Sequence, residues 1–418
     1  MSKVLRVGAN GQVDFVGRWQ AGPLVEDLGT EVALIQALIP LGLAAVHDVL
    51  QRDVERLVGP RYARDRGRPG HVRWSKERGS VYLLDQKLPI TYQRVRDQRR
   101  GVEVPLETYH RLQQPRALDE GLLQRVLVGL SCRRYQDCAE AVPEAFGLAP
   151  STVSRRSIRA SARKLRALME RRLEGYEFVA LLLDGKTFAD DEMVIALGVT
   201  VQGQKVVLGF VQTATENGRV CAAFLRELVA RGLRYEQGML VVIDGSKGLR
   251  RAVQEVFGTA AQVQRCQWHK REDVVAYLPA SEQAAWRRQL QRAYEQPTYP
   301  EAKGALDRLA RELRGRNESA ARSLAEGLEE TLTLHRLGVA GELGRSLKTT
   351  NALESVMAQV EQRTGKVDRW RTSDQKQRWL AAALLDIEPR LQRIRGHRAL
   401  PKLRDALRRQ LTKEVPAA

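Results

Sequence analysis

Two aspartates of the 418-residue chain stand in the same local context. Leu183-Asp184-Gly185 follows the apolar run 179–183, and Ile243-Asp244-Gly245 follows the apolar run 239–243. A carboxylate at the end of a buried strand is held by the rigid sheet yet exposed at its rim, where oxygen ligands can bind a hard divalent cation. Two such positions on neighbouring strands would make a metal site. Phosphodiester chemistry uses that arrangement, because two Mg2+ ions roughly 3.5 to 4 Å apart, or Mn2+ in their place, can activate the attacking oxygen and stabilise the leaving one. A third carboxylate is then expected from a helix beside the sheet, and Glu354, in Thr349-Thr350-Asn351-Ala352-Leu353-Glu354, is the candidate.

Each of these residues also has a structural reading. Either aspartate could cap the turn or helix that follows it. Asn351 followed three residues later by Glu354 has the spacing of a reciprocal helix N-cap, and Leu353, Val356, Met357 and Val360 then supply the apolar stripe of a helix beginning there. Cys266 and His269, three apart, could open a zinc site, but such a site needs four ligands and no second Cys/His pair follows. Lys186 and Lys247 beside the aspartates, and Arg363, Lys366, Arg369 and Arg371 beyond Glu354, are placed to contact phosphate or to form solvated surface. Trp268, Trp370 and Trp379 could stack on unpaired bases, with core packing the plainer use.

The elements that must position these groups are legible as a pattern. Residues 179–183, 194–200 and 205–211 read as three consecutive strands, 220–232 as a helix, 239–243 as a strand, 247–257 as a helix, 262–266 as a short strand, and the segment from Trp268 as a helix. The order β-β-β-α-β-α-β-α, with strands apolar on both faces, is that of an α/β ribonuclease-H-like fold. Residues 281–337 are rich in Ala, Arg, Glu and Leu and read as an all-helical insertion interrupted at Pro297 and Pro300, and 351–411 read as further helices. Upstream, 81–92 is strand-like behind the arginine- and glycine-rich connector 59–70. Residues 118–165 are helical around a break at Gly147-Leu148-Ala149-Pro150, restarted by a Ser151-Thr152-Val153-Ser154 cap into Arg155, Arg156, Arg159 and Arg163. That cap and basic second helix suggest a helix-turn-helix, or a basic solvated helix.

The expected organisation runs from a basic N-terminal region with a small β element (1–115) to a helix-turn-helix-like DNA-binding region (116–175). The catalytic core (176–280) is followed by a helical insertion (281–346), the last core helix with Glu354 (347–385) and a basic helical tail (386–418).

Charge points the same way. With 69 Lys and Arg against 50 Asp and Glu the chain carries +19, concentrated at 51–100, with 14 basic against 6 acidic residues, and at 389–413, with 9 against 1. Double-stranded DNA is the partner this implies. No run reaches the roughly 18 apolar residues of a membrane span, the start lacks a signal-peptide core, and four scattered cysteines, 132, 138, 221 and 266, suit a reducing compartment. A cytoplasmic, nucleoid-associated protein with no membrane and no small-molecule substrate is expected.

The stretches 181–277 and 349–363 resemble the Mutator-superfamily transposases carried by bacterial insertion sequences. The resemblance rests on motifs in order: Leu183-Asp184-Gly185-Lys186; Ile195-Ala196-Leu197-Gly198-Val199; Val207-Leu208-Gly209 with Glu216; Ala230-Arg231-Gly232-Leu233; Val242-Ile243-Asp244-Gly245-Ser246-Lys247-Gly248-Leu249; Arg265-Cys266-Gln267-Trp268-His269; and Thr350-Asn351-Ala352-Leu353-Glu354. It implies a DDE transposase that binds the terminal inverted repeats of its element and target DNA, with Asp184, Asp244 and Glu354 as Mg2+ ligands. It also implies His269 in a positioning or proton-transfer role, strand cleavage followed by strand transfer, and a homodimer on DNA. Lys270-Arg271-Glu272-Asp273 departs from the more basic text of many relatives. A ribonuclease-H-fold nuclease or resolvase, and a catalytically silent DNA-binding derivative, share parts of this pattern.

Overall fold

The computed structural model describes residues 6–7, 13–14, 28–62, 70–83, 86–114, 116–133, 135, 149–213 and 217–414. Most of the connector 59–70, Cys138, Gly147 and Leu148 of the expected helix break, and Glu216 lie outside the described residues. The chain divides into two compact units, Met1–Leu118 with Arg133–Val153, and Asp119–Cys132 with Ser154–Ala418.

In the first unit, Arg6–Val7 (β1) pairs with Val13–Asp14 (β2), and a long helix, Leu28–Val58 (α1), precedes the hairpin His71–Leu83 (β3) and Gln86–Asp97 (β4). Val102–Val104 (β5) extends that sheet antiparallel to β4, and Glu107–Leu112 (α2) follows. Val46, Leu50, Val54 and Val58, spaced four apart on one face of α1, bury against Val81, Ile90 and Val95 of the sheet and against Leu106. The strand expected at 81–92 is thus a hairpin turning within that span.

The second unit takes in most of Arg116–Leu127 (α3) and of Pro150–Met169 (α4). Pro150 occupies the first helical position, so Ser151 lies inside the first turn of α4 and does not precede it as a cap. A five-stranded sheet follows: Phe178–Phe188 (β6), Asp191–Thr200 (β7), Lys205–Thr213 (β8), Met239–Ile243 (β9) and Ala261–Arg265 (β10), in the order β10-β9-β6-β7-β8. β6, β7 and β8 form an antiparallel meander, and β9 and β10 run parallel to β6. Gly218–Ala230 (α5) leads into β9, Lys247–Phe257 (α6) connects β9 to β10, and Gln267–Val275 (α7) leaves β10. The element order is the one the apolar runs predict.

Alternation sorts the strand residues onto two faces. Leu181, Leu183, Val241 and Ile243 bury with Phe224, Leu228, Leu249 and Val253 of α5 and α6. Ala180, Leu182, Leu240 and Val242 bury on the other face with Leu353, Val356 and Val360 of Asn351–Thr364 (described below as α14), Leu380 and Leu384 of Ser373–Ile387, and Leu403 of Leu400–Glu414. Both faces are therefore covered, which is why these strands carry no polar alternation.

Between the sheet and that second layer the chain runs through a helical subregion: Ala280–Tyr294 (α8), Tyr299–Arg316 (α9), Glu318–Ala325 (α10), Leu328–Thr331 (α11), Thr333–Arg336 (α12) and Ala340–Leu347 (α13), before Asn351–Thr364 (α14), Ser373–Ile387 (α15) and Leu400–Glu414 (α16). Val274, Leu290, Leu306 and Leu324 build a separate small core there. Pro300 does not interrupt a helix: it sits in the first turn of α9, behind a Thr298/Glu301 capping box.

Candidate active site

The register of β6 with β9, Leu182 against Val242, carried two residues further sets Asp184 level with Asp244 on neighbouring parallel strands. By parity with Leu182, the Asp184 side chain leaves the sheet on the face covered by α14, and Asp244 is the first residue after β9. The expectation that Asp184 ends its strand is corrected: β6 continues to Phe188, paired with β7, and what ends there is the neighbour β9, at Ile243. Asp184 stands where the sheet narrows, so its carboxylate has a strand on one side and an opening on the other.

Asp184 is 1% exposed. Its Oδ2 accepts no hydrogen bond, although Lys186 Nζ lies 3.1 Å away. Burial pushes its pKa up to about 6, against the opposing pull of the Lys186 charge, and the Asp244 charge pushes it further upward. Asp244 is half-buried, and its Oδ1 accepts the Ser246 backbone N–H at 2.9 Å, so the turn-capping role foreseen for it is real but occupies one oxygen. Ser246 caps α6 by accepting from the Leu249 N–H.

Glu354 reaches this face from α14. The reciprocal cap expected of Asn351 and Glu354 is absent: the capping position is Thr350, no side chain caps the helix, and Asn351 is already its first residue. Glu354 is therefore not committed to the helix end. Its Oε1 lies 3.7 Å from Lys186 Nζ and 3.9 Å from His269 Nε2. Leu353, Val356 and Val360 bury beside it, with Met357 packed against the same core, as the stripe predicts.

Behind the carboxylates, Cys266 stands at the start of α7, its N–H bonded to the Ile243 carbonyl at 2.7 Å, and Gln267 N–H is bonded to the Lys348 carbonyl at 2.9 Å. These bonds tie the end of β9 and the segment before α14 to one point. Burial is the largest influence and works to raise the Cys266 thiol, but the side chain, backbone and charge of His269 together with the Thr350 backbone outweigh it and hold the thiol below its ordinary range. For His269 burial pulls downward, and the bond to Cys266 with the Cys266 and Asp244 charges carries the imidazole above its usual value. Cys266 and His269 thus serve each other.

The fully buried Thr350, to which the motif alone assigns no role, donates its Oγ1–H to Cys266 Sγ at 3.9 Å, and its hydroxyl works to lower the Asp184 pKa. The signal available for it was a hydroxyl directly before a helix whose acid faces the sheet. Asp184, Lys186, Glu354, His269, Cys266 and Thr350 close into one ring of contacts.

The expected DNA-contacting residues divide. Arg155 and Arg159 are exposed, but Arg156 is 1% exposed and bonded through Nε to the buried Asp119 at 2.8 Å, which removes it from any DNA surface. Arg159 and Arg163 approach the same carboxylate at 3.4 and 3.8 Å. Arg363 is largely buried against Asp386 at 2.6 Å, whereas Lys366, Arg369 and Arg371 are exposed. Lys247 is exposed, with Glu326 at 3.7 Å. Trp370 packs edge-on to Phe188 and Trp379, and Trp268 is 41% exposed beside His269.

Among the described residues, no three acidic, His or Cys side chains are gathered closely enough to hold a metal ion as they stand. The donor set nevertheless suits a hard divalent cation, since it is carboxylate oxygen and includes one buried oxygen without a hydrogen bond. Among the described residues no helix is long and apolar enough to cross a membrane.

The chain is similar to several known proteins. Over 278 residues the chain is 27% identical to the transposase for insertion sequence element IS905 of Lactococcus lactis subsp. lactis (strain IL1403), covering 64% of this chain and 68% of that one. It is 28% identical over 245 residues to the transposase for insertion sequence element IS6120 of Mycolicibacterium smegmatis, covering 57% and 74%. It is also 28% identical over 230 residues to the transposase for insertion sequence element IST2 of Acidithiobacillus ferrooxidans, covering 53% and 75%. The pattern that defines the family described as "Transposase, Mutator family" matches residues 92–393, and the chain belongs to that family of insertion-sequence transposases.

Proposed function

We propose that this transposase cuts and joins DNA strands at the terminal inverted repeats of its element, with Asp184, Asp244 and Glu354 as the acids of one Mg2+-dependent centre on a ribonuclease-H-like sheet. The strand order, an antiparallel meander followed by two parallel strands on the far side of its first strand, supports that fold reading. The observation that carries the functional reading is the Lys186 ammonium, 3.1 Å from Asp184 and 3.7 Å from Glu354, which occupies the kind of place a cation takes between two acids.

In this reading the three carboxylates would hold Mg2+ or Mn2+, which supplies activation of the attacking oxygen and charge stabilisation at the leaving one. The protein's own part is preorganisation. Strands β6 and β9 fix two acids at one level, α14 delivers the third, and His269 stands with Nε2 3.9 Å from Glu354, where it can orient that carboxylate or move a proton. Lys186 works to keep the buried Asp184 ionised. Exposed Arg155, Arg159, Lys366 and Arg369 would bind the duplex backbone, and two ends cut together imply a homodimer on DNA.

The test is an assay of labelled duplex carrying the element end, with the wild-type protein in Mg2+, in Mn2+ and in chelator. The reading expects nicking at the element boundary and joining to a second duplex, both dependent on the cation. Cutting that is equally fast in chelator, or equally frequent on unrelated duplex, would overturn it.

A further inference from the structure

Next to Asp244 in the chain, Gly245 lines a cleft of about 620 Å³ together with Lys247, Arg251, Arg265, Glu326 and Gly327. Arg265, the last residue of β10, lines it while remaining only 8% exposed. A guanidinium buried to that degree is expected to be bound by carboxylate in a two-pronged contact. This one is not: Asp273 and Glu326 stand at the limit of 4.0 Å, an acceptor for Nη1 is the Glu326 carbonyl at 3.3 Å, and Nε has none.

A second buried cation lies behind it. Lys270 is 1% exposed, donates to the Ser323 carbonyl at 2.7 Å, and has Glu326 at 3.9 Å. Arg265 has Asp273 and Glu326 no nearer than 4.0 Å and Lys270 has Glu326 at 3.9 Å, so among the described residues neither buried positive charge has a carboxylate in close contact. Buried charge without close neutralisation is costly, so the arrangement favours an anion arriving from outside.

The cleft is shaped to admit one. Gly245 and Gly327 close on the guanidinium from two sides, both at positive φ, 127° and 67°, and a Cβ on either would stand 2.4 Å from Nε or 2.6 Å from Nη1 of Arg265. The first turn of α6 begins at Lys247, directly after Gly245 and Ser246, so its N-terminal end faces the same opening. Lys247 and Arg251 at the rim are exposed.

We propose that this cleft binds a DNA phosphodiester flanking the reacting one, with Arg265 as its buried anchor and Lys247 and Arg251 as its rim. Through Gly245 the site adjoins Asp244, so holding that phosphate sets the position of the strand along the carboxylates. The inference rests on the DNA-cutting reading for its partner and adds where the strand is gripped.

The test couples charge removal on the two sides. Element-end duplexes carrying a single neutral methylphosphonate at successive positions around the cut are titrated against wild type, Arg265→Gln, and the double variant Lys247→Ala with Arg251→Ala, by fluorescence polarisation. The exposed rim pair keeps the test valid if the buried Arg265→Gln chain fails to fold. For wild type, one flanking methylphosphonate should cost about fivefold or more in affinity. In either variant the same modification should cost less than about twofold, because the contact is already gone. The salt slope of wild-type binding should also exceed that of the variants by about 0.9 per lost duplex contact. Losses that multiply at every position in both variants would overturn the site. The failures are separable: a wild type that binds but never cuts defeats the catalytic reading while the coupling is still read out, and cutting without coupling defeats this inference alone.

Discussion

Lys186 and Asp184 lie two residues apart on one strand, their side chains on the same face, with Nζ 3.1 Å from an Oδ2 that accepts no hydrogen bond. Strand alternation makes that proximity obligatory, and the turn of α14 adds Glu354 to the same ammonium. The carboxylate most deeply buried in the site is thus held near a charge that opposes its neutralisation.

A stability consequence follows for Asp184. Its folded pKa, about 6, lies above the ordinary 3.8, so the fold takes up a proton that the unfolded chain has already lost between those values. Without divalent cation, stability should therefore fall as pH rises from about 4 to about 6 and stay reduced above that window. Asp184→Asn removes the cost. At pH 8 in chelator it should melt above wild type, by on the order of 2 kcal/mol, and Mg2+ should narrow the gap by binding only wild type. An Asn variant less stable than wild type in chelator would contradict the burial argument.

Glu354 separates stability from activity in the other direction. Because Thr350 takes the capping position and no side chain caps α14, Glu354→Gln should shift unfolding by less than about 0.5 kcal/mol. Its cleavage of element ends should nevertheless fall to background. Denaturant melts beside a cleavage assay read both, and a folded variant cutting at wild-type rate would move the third acid elsewhere.

The arginines of α4 should split by burial. Asp119→Ala takes from the buried Arg156 the carboxylate that its Nε bonds, and should cost about 3 to 5 kcal/mol in denaturant unfolding. The exposed Arg155→Ala should stay within about 0.5 kcal/mol of wild type and instead weaken DNA binding. Equal effects of both on stability would show that the Asp119 pair carries no special weight.

What the sequence reveals here depends on how local the cause is. The runs 179–183 and 239–243 are apolar because both sheet faces are covered, and that is readable residue by residue. The end of β6 is not, since Gly185 and Lys186 carry no strand signal and are held by pairing with β7. The cap at α14 was misplaced by one residue because Thr350 and Asn351 are both competent and the choice is made by the Gln267–Lys348 and Thr350–Cys266 contacts, which cross more than 80 residues. Arg156 looks like its neighbours in a basic helix, and its bond to Asp119, 37 residues earlier, marks it as a core residue. The charge of Lys186 suggests phosphate, and only the folded strand shows its Nζ also lying 3.1 Å from Asp184 and 3.7 Å from Glu354.

The central claim is that Asp184, Asp244 and Glu354 act as one centre, and the most direct measurement is the Mg2+-dependent nicking rate on end duplex of Asp184→Asn, Asp244→Asn, Glu354→Gln and the Asp244→Asn, Glu354→Gln double variant. Residues acting as a unit are not additive. Each single variant should fall to background with duplex affinity retained, and the double variant should cut no more slowly than either of its singles. A single variant that keeps near wild-type nicking, or losses that multiply in the double variant, would contradict the claim.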